Sequence, residues 1–518
     1  MRIDTTTIAR TDVRDALRHL SRDRTPGRTP LTRLQVVERA VARSGMRPSP
    51  GAREYELAQL LAETVEAELE RLRRTLRPRP QVDASDFRAA LQRDFGVGHR
   101  ELESWSAVYH LYLRPDLNIG LDEMEELLGD RHRRTLQRRL QEGVTALSVH
   151  LQTLERSAVA EARRERLAMN LPHGGQSELV GRAREIAVVR ALLSADLGRR
   201  AVALGGPSGI GKTAVARAAA LAEIKDDNVA DVIWVSPLAE DDRDLACGED
   251  GPPMPVQRQT SGRVRSIDAV GRLVRHAHLA DHADGRPQAA VAENRSAFAT
   301  PMLVVIDGVN DPAAAAAWSE EIAGWGLRAR ALLTGRVCWS GVDGVRPVTL
   351  RPLGRSASVA LLRRLAKERG LPDVARSSDD VLDPLAEATA GVPRAIHMAV
   401  GRLRALGCAQ VANELARGNG PVADMSRDMW DDGWRRASER ARLVVREVAT
   451  GVADGLAPTT DAVRRGAGLD HDDAMAALQE AVDLGLLEAA GDAATRSFRT
   501  RPFLRRFLAT THGRTPVD

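Results

Sequence analysis

Lysine is almost absent from this sequence of 518 residues: only Lys212, Lys225 and Lys367 interrupt a basic complement that is otherwise arginine. Each exception marks a place where a compact ammonium is worth keeping over a planar guanidinium. Cysteine is scarce too. Cys247, Cys338 and Cys408 stand far apart without paired ligand spacing, which argues against a disulfide framework and a structural zinc site and fits a reducing cytoplasm. Aromatics, at 3%, fall below what base-stacking surfaces use. No apolar run is long enough for a signal peptide or a membrane span, so a cytoplasmic protein without a membrane partner is expected. Net charge is only +4 although the pI is about 9.3, so any nucleic-acid-binding patch must be local.

At roughly 100–200 residues per domain, the length calls for three or four domains. Residues 1–169 read as helical, with apolar residues at three- and four-residue spacing in YELAQLLAETVEAELERLRRTL. RPRP at 77–80 breaks the run, and NLPHGGQ at 170–176 reads as a linker. Over 170–349, short apolar runs (AVALGG, DVIWVS, MLVVID, ARALLTG) alternate with helical stretches, the pattern of a parallel sheet covered on both faces. A loop-like insertion interrupts this region at 239–265. Residues 350–415 return to helix and 416–432 read as a polar linker. Residues 433–510 read as helix, short helix, helix and a hairpin turning at Gly491 and Asp492, the order of a winged helix, before a tail at 511–518.

The chemistry concentrates at Gly206-Pro-Ser-Gly209-Ile210-Gly211-Lys212-Thr213, which fits G-x-x-x-x-G-K-[ST] between an apolar strand and the helix that begins near Ala214. Glycines let backbone amides curl around phosphate oxygens, and the helix amino terminus adds its dipole. Lys212 is placed to reach β- and γ-phosphates and Thr213 to ligate Mg²⁺. No Asn-Lys-x-Asp guanine reader occurs, which favours ATP/ADP over guanine nucleotides. The second metal-holding residue should close a buried strand, and Asp307 after MLVVI is that residue. A second acid does not follow directly. Gly308 stands there, and Asp311 either positions the attacking water or caps the alanine-rich helix after Pro312.

These pieces, in this order, resemble the STAND class of signalling ATPases, in its NB-ARC and NACHT branches. Val180-Gly181-Arg182 is similar to the hinge motif whose backbone lies near adenine, and Trp234-Val235-Ser236 to the second NB-ARC strand. Asp307-Gly-Val-Asn310-Asp311 resembles the NACHT acid pattern, with Asn310 replacing one acid. Thr334-Gly335-Arg336 resembles the sensor whose arginine detects the γ-phosphate, and Gly391-Val392-Pro393 the lid motif whose proline lies over the nucleotide. The resemblance covers about 175 to 510 and implies a multidomain fold: a helical amino-terminal domain, an α/β P-loop NTPase with a parallel sheet, a helical lid and a winged helix. It implies a switch that is off with ADP and on with ATP, hydrolyses slowly and forms a homo-oligomer in the ATP state. The family's histidine from Met-His-Asp is replaced by Arg501, which either makes a stronger charge-assisted contact or leaves the latch absent. Gly391-Val-Pro-Arg394 also resembles the second sensor of AAA+ DNA-processing ATPases, in which the arginine touches the γ-phosphate; the plainer reading of Arg394 is a surface residue.

The stretch 121–129, followed by Arg133-Arg-Thr-Leu-Gln-Arg-Arg-Leu140, resembles a helix-turn-helix spanning about 120–142. Leu136, Leu140 and Val144 share one helical face, with Arg134, Gln137, Arg138 and Gln141 opposite. That polar face either enters the major groove of double-stranded DNA, with Arg131, Arg133 and Arg139 on phosphates, or is an ordinary solvated face. A third possibility is recruitment of a separate protein effector, as in antiviral signalling. His99, His110 and His132 are not spaced as a metal site, and Trp105, Tyr109 and Tyr112 have the spacing of core residues.

Overall fold

The computed structural model describes residues 8–512 except 24, 77–86, 118, 130–132, 173–178, 195–200, 237–301, 311, 325–328, 337–338, 340–341, 418–420, 452–456, 492–495 and 502. The expected insertion at 239–265 and the hairpin turn residue Asp492 therefore lie outside the described residues. The chain divides into two compact units, Met1–Arg166 and Leu167–Asp518. Among the described residues no helix is long and apolar enough to cross a membrane.

The first unit is helical: α1 (Arg10–Asp23), α2 (Gln35–Ser44), α3 (Pro50–Leu76), α4 (Phe87–Gly96), α5 (Arg100–Val108), α6 (Leu121–Leu127) and α7 (Arg133–Met169), the last running past the boundary. On α3, Leu57, Leu61, Val65, Leu69 and Leu72 recur at three or four residues and are all buried, so one stripe enters the core. Leu136, Leu140, Val144, Leu147 and Leu151 do the same on α7. Trp105 is buried, and Tyr109 and Tyr112 pack against the same core.

The carboxylates Asp94 and Glu155, buried in this unit, are paired, as desolvation requires. Asp94, with no exposed surface, accepts from the Arg73 guanidinium and the Ser106 hydroxyl, both at 2.7 Å. His110 lies against Ser106, and burial lowers its pKa. Leu34 gives α2 no side-chain cap, and the Glu155 carboxylate of α7 takes that place by accepting from the amides of Gln35 (2.9 Å) and Val36 (3.0 Å). His99 caps α5 through the Leu102 amide, and His132 lies outside the described residues.

The second unit runs α8 (Ala183–Ser194), β1 (Ala201–Gly205), α9 (Lys212–Lys225), β2 (Val232–Val235), β3 (Met302–Asp307), α10 (Pro312–Gly324), β4 (Ala329–Gly335) and β5 (Val345–Thr349). It continues with α11 (Arg355–Glu368), α12 (Pro372–Arg376), α13 (Asp379–Ala388), α14 (Pro393–Arg402), α15 (Cys408–Arg417) and α16 (Pro421–Arg436). Last come α17 (Glu439–Thr450), α18 (Thr460–Ala467), α19 (His471–Asp483), β6 (Leu487–Gly491), β7 (Arg496–Thr500) and α20 (Leu504–His512).

Strands β1 to β5 form a parallel sheet in the order β2-β3-β4-β1-β5. Successive side chains enter opposite faces. Val202, Leu204, Leu303, Val305 and Leu332 join one core with Val215, Ala216 and Ala219 of α9. Ala203, Val304, Ile306 and Leu333 join another with Ala315, Trp318 and Ile322 of α10. Burial on both faces explains why these strands read as continuous apolar runs. Because β4 lies between β1 and β3, with Gly205 opposite Gly335 and Asp307 opposite Thr334, the ends of three strands emerge side by side.

One expectation is corrected. The stretch 416–432, read as a linker, is helical from Pro421 to Arg436, because Met425, Met429, Trp430 and Trp434 give α16 a buried face. Its density of acids and arginines belongs to the opposite, solvated side. After it, α17 packs on α18 and α19, and β6 pairs antiparallel with β7, Leu487 opposite Thr500.

Candidate functional site

The site is built where β1, β3 and β4 end, the edge at which parallel sheets place their ligand loops. After Gly205 the chain turns through 206–211 into α9, whose N-cap is Gly211. Gly209 stands at φ +76, and a Cβ there would lie 2.6 Å from the Cβ of Arg394. Only glycine tolerates both that backbone and that approach. Arg182, 4% exposed, reaches the loop from within the fold: its guanidinium donates to the Ile210 carbonyl at 3.0 Å and to Glu185 at 2.7 Å. Gly181 packs against Ala357 and Leu353 at the start of α11, with Val180 beside the same core.

The Lys212 ammonium folds over the loop and donates to the carbonyls of Gly206 (2.9 Å) and Pro207 (3.0 Å). Burial, then the positive charges of Arg336 and Arg501, push its pKa down to about 8, with Asp307 opposing. Two arginines therefore bear on the same ammonium: Arg336 from the end of β4 and Arg501 from just after β7. The Thr213 hydroxyl donates to Asp307 Oδ1 at 2.9 Å, and the Thr334 hydroxyl donates to the same oxygen. The residues expected to hold phosphate and metal thus converge from the loop, β3, β4 and the carboxy-terminal block.

Pro393 and Arg394 begin α14 and lie against the loop. The Arg394 amide donates to the Gly209 carbonyl at 3.1 Å, and its guanidinium donates to Asp428 on α16 at 2.9 Å. Ala214 is half-buried on the first turn of α9. Asp311 lies outside the described residues, so the structure does not place it.

Asp428 and Arg436 were not singled out in the sequence, and Thr334 and Asn310 were named only within motifs, without the contacts they make here: the Thr334 hydroxyl bridges to Asp307. Asn310 Oδ1 accepts from the Arg336 amide at 3.1 Å, and its carbonyl accepts from Arg436 at 3.1 Å. Asp428 and Arg436 lie within or just beyond the expected linker, and their place on a helix brings Asp428 to Arg394 and Arg436 to the Asn310 carbonyl.

In the first unit, Arg134, Gln137, Arg138 and Gln141 are exposed on α7 opposite the buried Leu136, Leu140 and Val144, as the spacing predicts. Arg131 lies outside the described residues. Arg133 pairs with Asp122, and Arg138 with Glu142 at 3.1 Å. Arg139 is not available to phosphate: it is 12% exposed and lies between Glu103 (2.6 Å) and Glu142 (2.8 Å), because buried Glu103 needs a counter-charge.

No family model matches the chain, and no curated protein does. Among solved structures it is similar to a Signal Transduction ATPase with Numerous Domains (STAND) protein with a tetratricopeptide repeat sensor from Pyrococcus horikoshii, at 14% identity and TM-score 0.26, over 66% of this chain and 44% of that one. The chain therefore spans less than half of that protein's length. It is also similar to C. elegans PCH-2 (16%, TM-score 0.29, 51% of this chain and 73% of that one) and to AMPPCP-bound DnaA from Aquifex aeolicus (15%, TM-score 0.26, 61% and 91%). The strand order, the loop after β1 and the acid closing β3 make the second unit an α/β core of the P-loop ATPase kind.

Proposed function

We propose that the chain is an adenine-nucleotide switch of the STAND kind, resting with ADP and activated by exchange for ATP. The observation that carries this is the seat itself. Arg336 and Arg501, from two other parts of the chain, both act on the Lys212 ammonium beside the Asp307 carboxylate, a concentration of positive charge that favours a polyphosphate. Arg336 reads the γ-phosphate, Arg501 takes the place of the family's histidine, Pro393 lies over the nucleotide, and the backbone at Val180 and Gly181 borders adenine.

The donor set fits Mg²⁺: Thr213 and Asp307 offer two hard oxygens 2.9 Å apart, and such sites complete the octahedron with phosphate and water. Among the described residues no group of three or more His, Cys, Asp or Glu could hold a metal. Bound there, the ion would neutralise charge on the β- and γ-phosphates.

Helices α17 to α19 followed by the β6-β7 hairpin support a winged helix, and 350–415 a helical lid. The first unit serves as the output module. The exposed face of α7 supports double-stranded DNA as its partner, with a cytoplasmic homo-oligomer as the active form. A second reading, a DNA-processing AAA+ ATPase, is favoured by one contact, the Arg394 main chain on Gly209. It requires DNA to stimulate turnover through Arg394.

Steady-state hydrolysis by the full chain tests the switch. With Gly308 where a second acid would stand, turnover is expected to be slow and unresponsive to DNA. Turnover of roughly 10 per second or more without an activator, ordinary for an enzyme, would overturn the switch reading.

A further inference from the structure

The loop after β3 and the end of β4 are laced into one piece. The amides of Gly308 (3.1 Å) and Val309 (2.8 Å) donate to the Thr334 carbonyl, and Asn310 Oδ1 accepts from the Arg336 amide at 3.1 Å. Two groups of the carboxy-terminal block rest on that piece. Arg436, closing α16, donates to the Asn310 carbonyl at 3.1 Å. Gly485, in the turn from α19 to β6, sits at φ +71 so close that a Cβ would lie 2.7 Å from the Arg336 carbonyl oxygen. Pro207 of the phosphate loop lines the small cleft between them, together with Asn310, Arg336, Trp430 and Arg436.

Asn310 therefore serves two masters with two different groups. Its side chain holds the main chain of Arg336, whose charge reaches Lys212, and its main chain holds the last turn of α16. Displacing Arg336 toward or away from a phosphate would pull on Asn310, and a shift of Asn310 would alter the seat of Arg436. The links between are two hydrogen bonds of 3.1 Å, each joining a side chain to main chain, on a loop held to β4 by main-chain bonds.

We propose that Asn310 is a positioning residue that couples Arg336, and through it the phosphate count of the bound nucleotide, to docking of the carboxy-terminal block through Arg436. The inference rests on the reading of the site as nucleotide-binding. What the position needs is an acceptor for a main-chain N–H, which asparagine and aspartate supply and alanine does not.

Dissociation of fluorescent ADP and ATP analogues from the full chain, followed by stopped flow, tests this. The unaltered protein is expected to release the two at different rates. Asn310→Ala should bring the rates within about twofold of each other, Asn310→Asp should keep them apart, and Arg436→Ala should speed release of both by about fivefold, the loss of one exposed hydrogen bond. Asn310→Ala keeping the original ratio would overturn the positioning role, and unchanged release from Arg436→Ala would overturn the coupling. Discrimination lost equally in Asn310→Asp would reduce Asn310 to a folding role. Absence of binding, or of discrimination, in the unaltered chain would strike the nucleotide reading or the inference at its root, before any variant is compared.

Discussion

The phosphate loop and the polar face of α7 are both clusters of positive charge, and they are held in opposite ways. At the loop, Arg336 and Arg501 both act on the Lys212 ammonium, whose pKa is lowered first by burial and then by these positive charges, with the Asp307 carboxylate opposing. On α7, Arg133, Arg138 and Arg139 are each matched by a carboxylate of their own unit. Repelling cations kept in place mark a seat for an anion, whereas matched cations serve the fold first. The difference teaches that arginine count is a poor guide to function in a chain that uses arginine for nearly every basic role.

Four experiments press on that comparison. The largest effect is expected from Lys212→Ala, which removes the buried ammonium and should weaken ATP by about 100-fold in calorimetry; unchanged affinity would erase the distinction between the two clusters. Next, Arg134→Ala/Arg138→Ala in the full chain should weaken duplex DNA by about tenfold and flatten the salt dependence by about two in log-log slope. No DNA binding by the unaltered protein even at low salt would leave the α7 face to a protein partner.

The third follows from the sign of the Lys212 shift. A bound polyphosphate favours the charged ammonium, so the complex keeps a proton that the empty site sheds as pH rises through about 8. Affinity should be level below pH 8 and fall by about tenfold per unit above it, while Lys212→Arg stays flat over the same range. A flat profile for the unaltered protein would mean that the repulsion at the loop is not felt by the ligand. The smallest effect belongs to Asp428→Asn. The Arg394–Asp428 pair is exposed and worth roughly 0.2–1 kcal/mol, so releasing the guanidinium should tighten ATP by about two- to fivefold, and only with Arg394 present.

Local geometry was legible in the sequence and long-range pairing was not. The turn at 206–213 announces itself because glycine spacing and a following helix are dictated by neighbours in the chain. Asp307 was readable for the same reason, at the end of an apolar strand. The buried and exposed faces of α7 followed from a period of 3.6 residues. Asn310, Asp428 and Arg436 were not readable, since their partners lie 26 to 126 residues away and no periodicity encodes them. The helix at Pro421–Arg436 was missed because its surface is so polar that the buried face, Met425, Met429, Trp430 and Trp434, is sparse in sequence. Arg139 failed the other way: its residue type promised phosphate, and Glu103, 36 positions earlier, claimed it.

The scarcity of lysine has a practical consequence. Amine-reactive reagents attack the neutral form, and a lysine whose pKa is about 8 carries far more of it near neutral pH than an ordinary side chain. With only Lys225 and Lys367 as competing side chains, and the α-amino group as the other amine, Lys212 offers one of very few chemical handles, placed at the heart of the loop. Acylation there, and its suppression by an occupant of the site, would turn ligand occupancy into a mass shift readable on the intact protein.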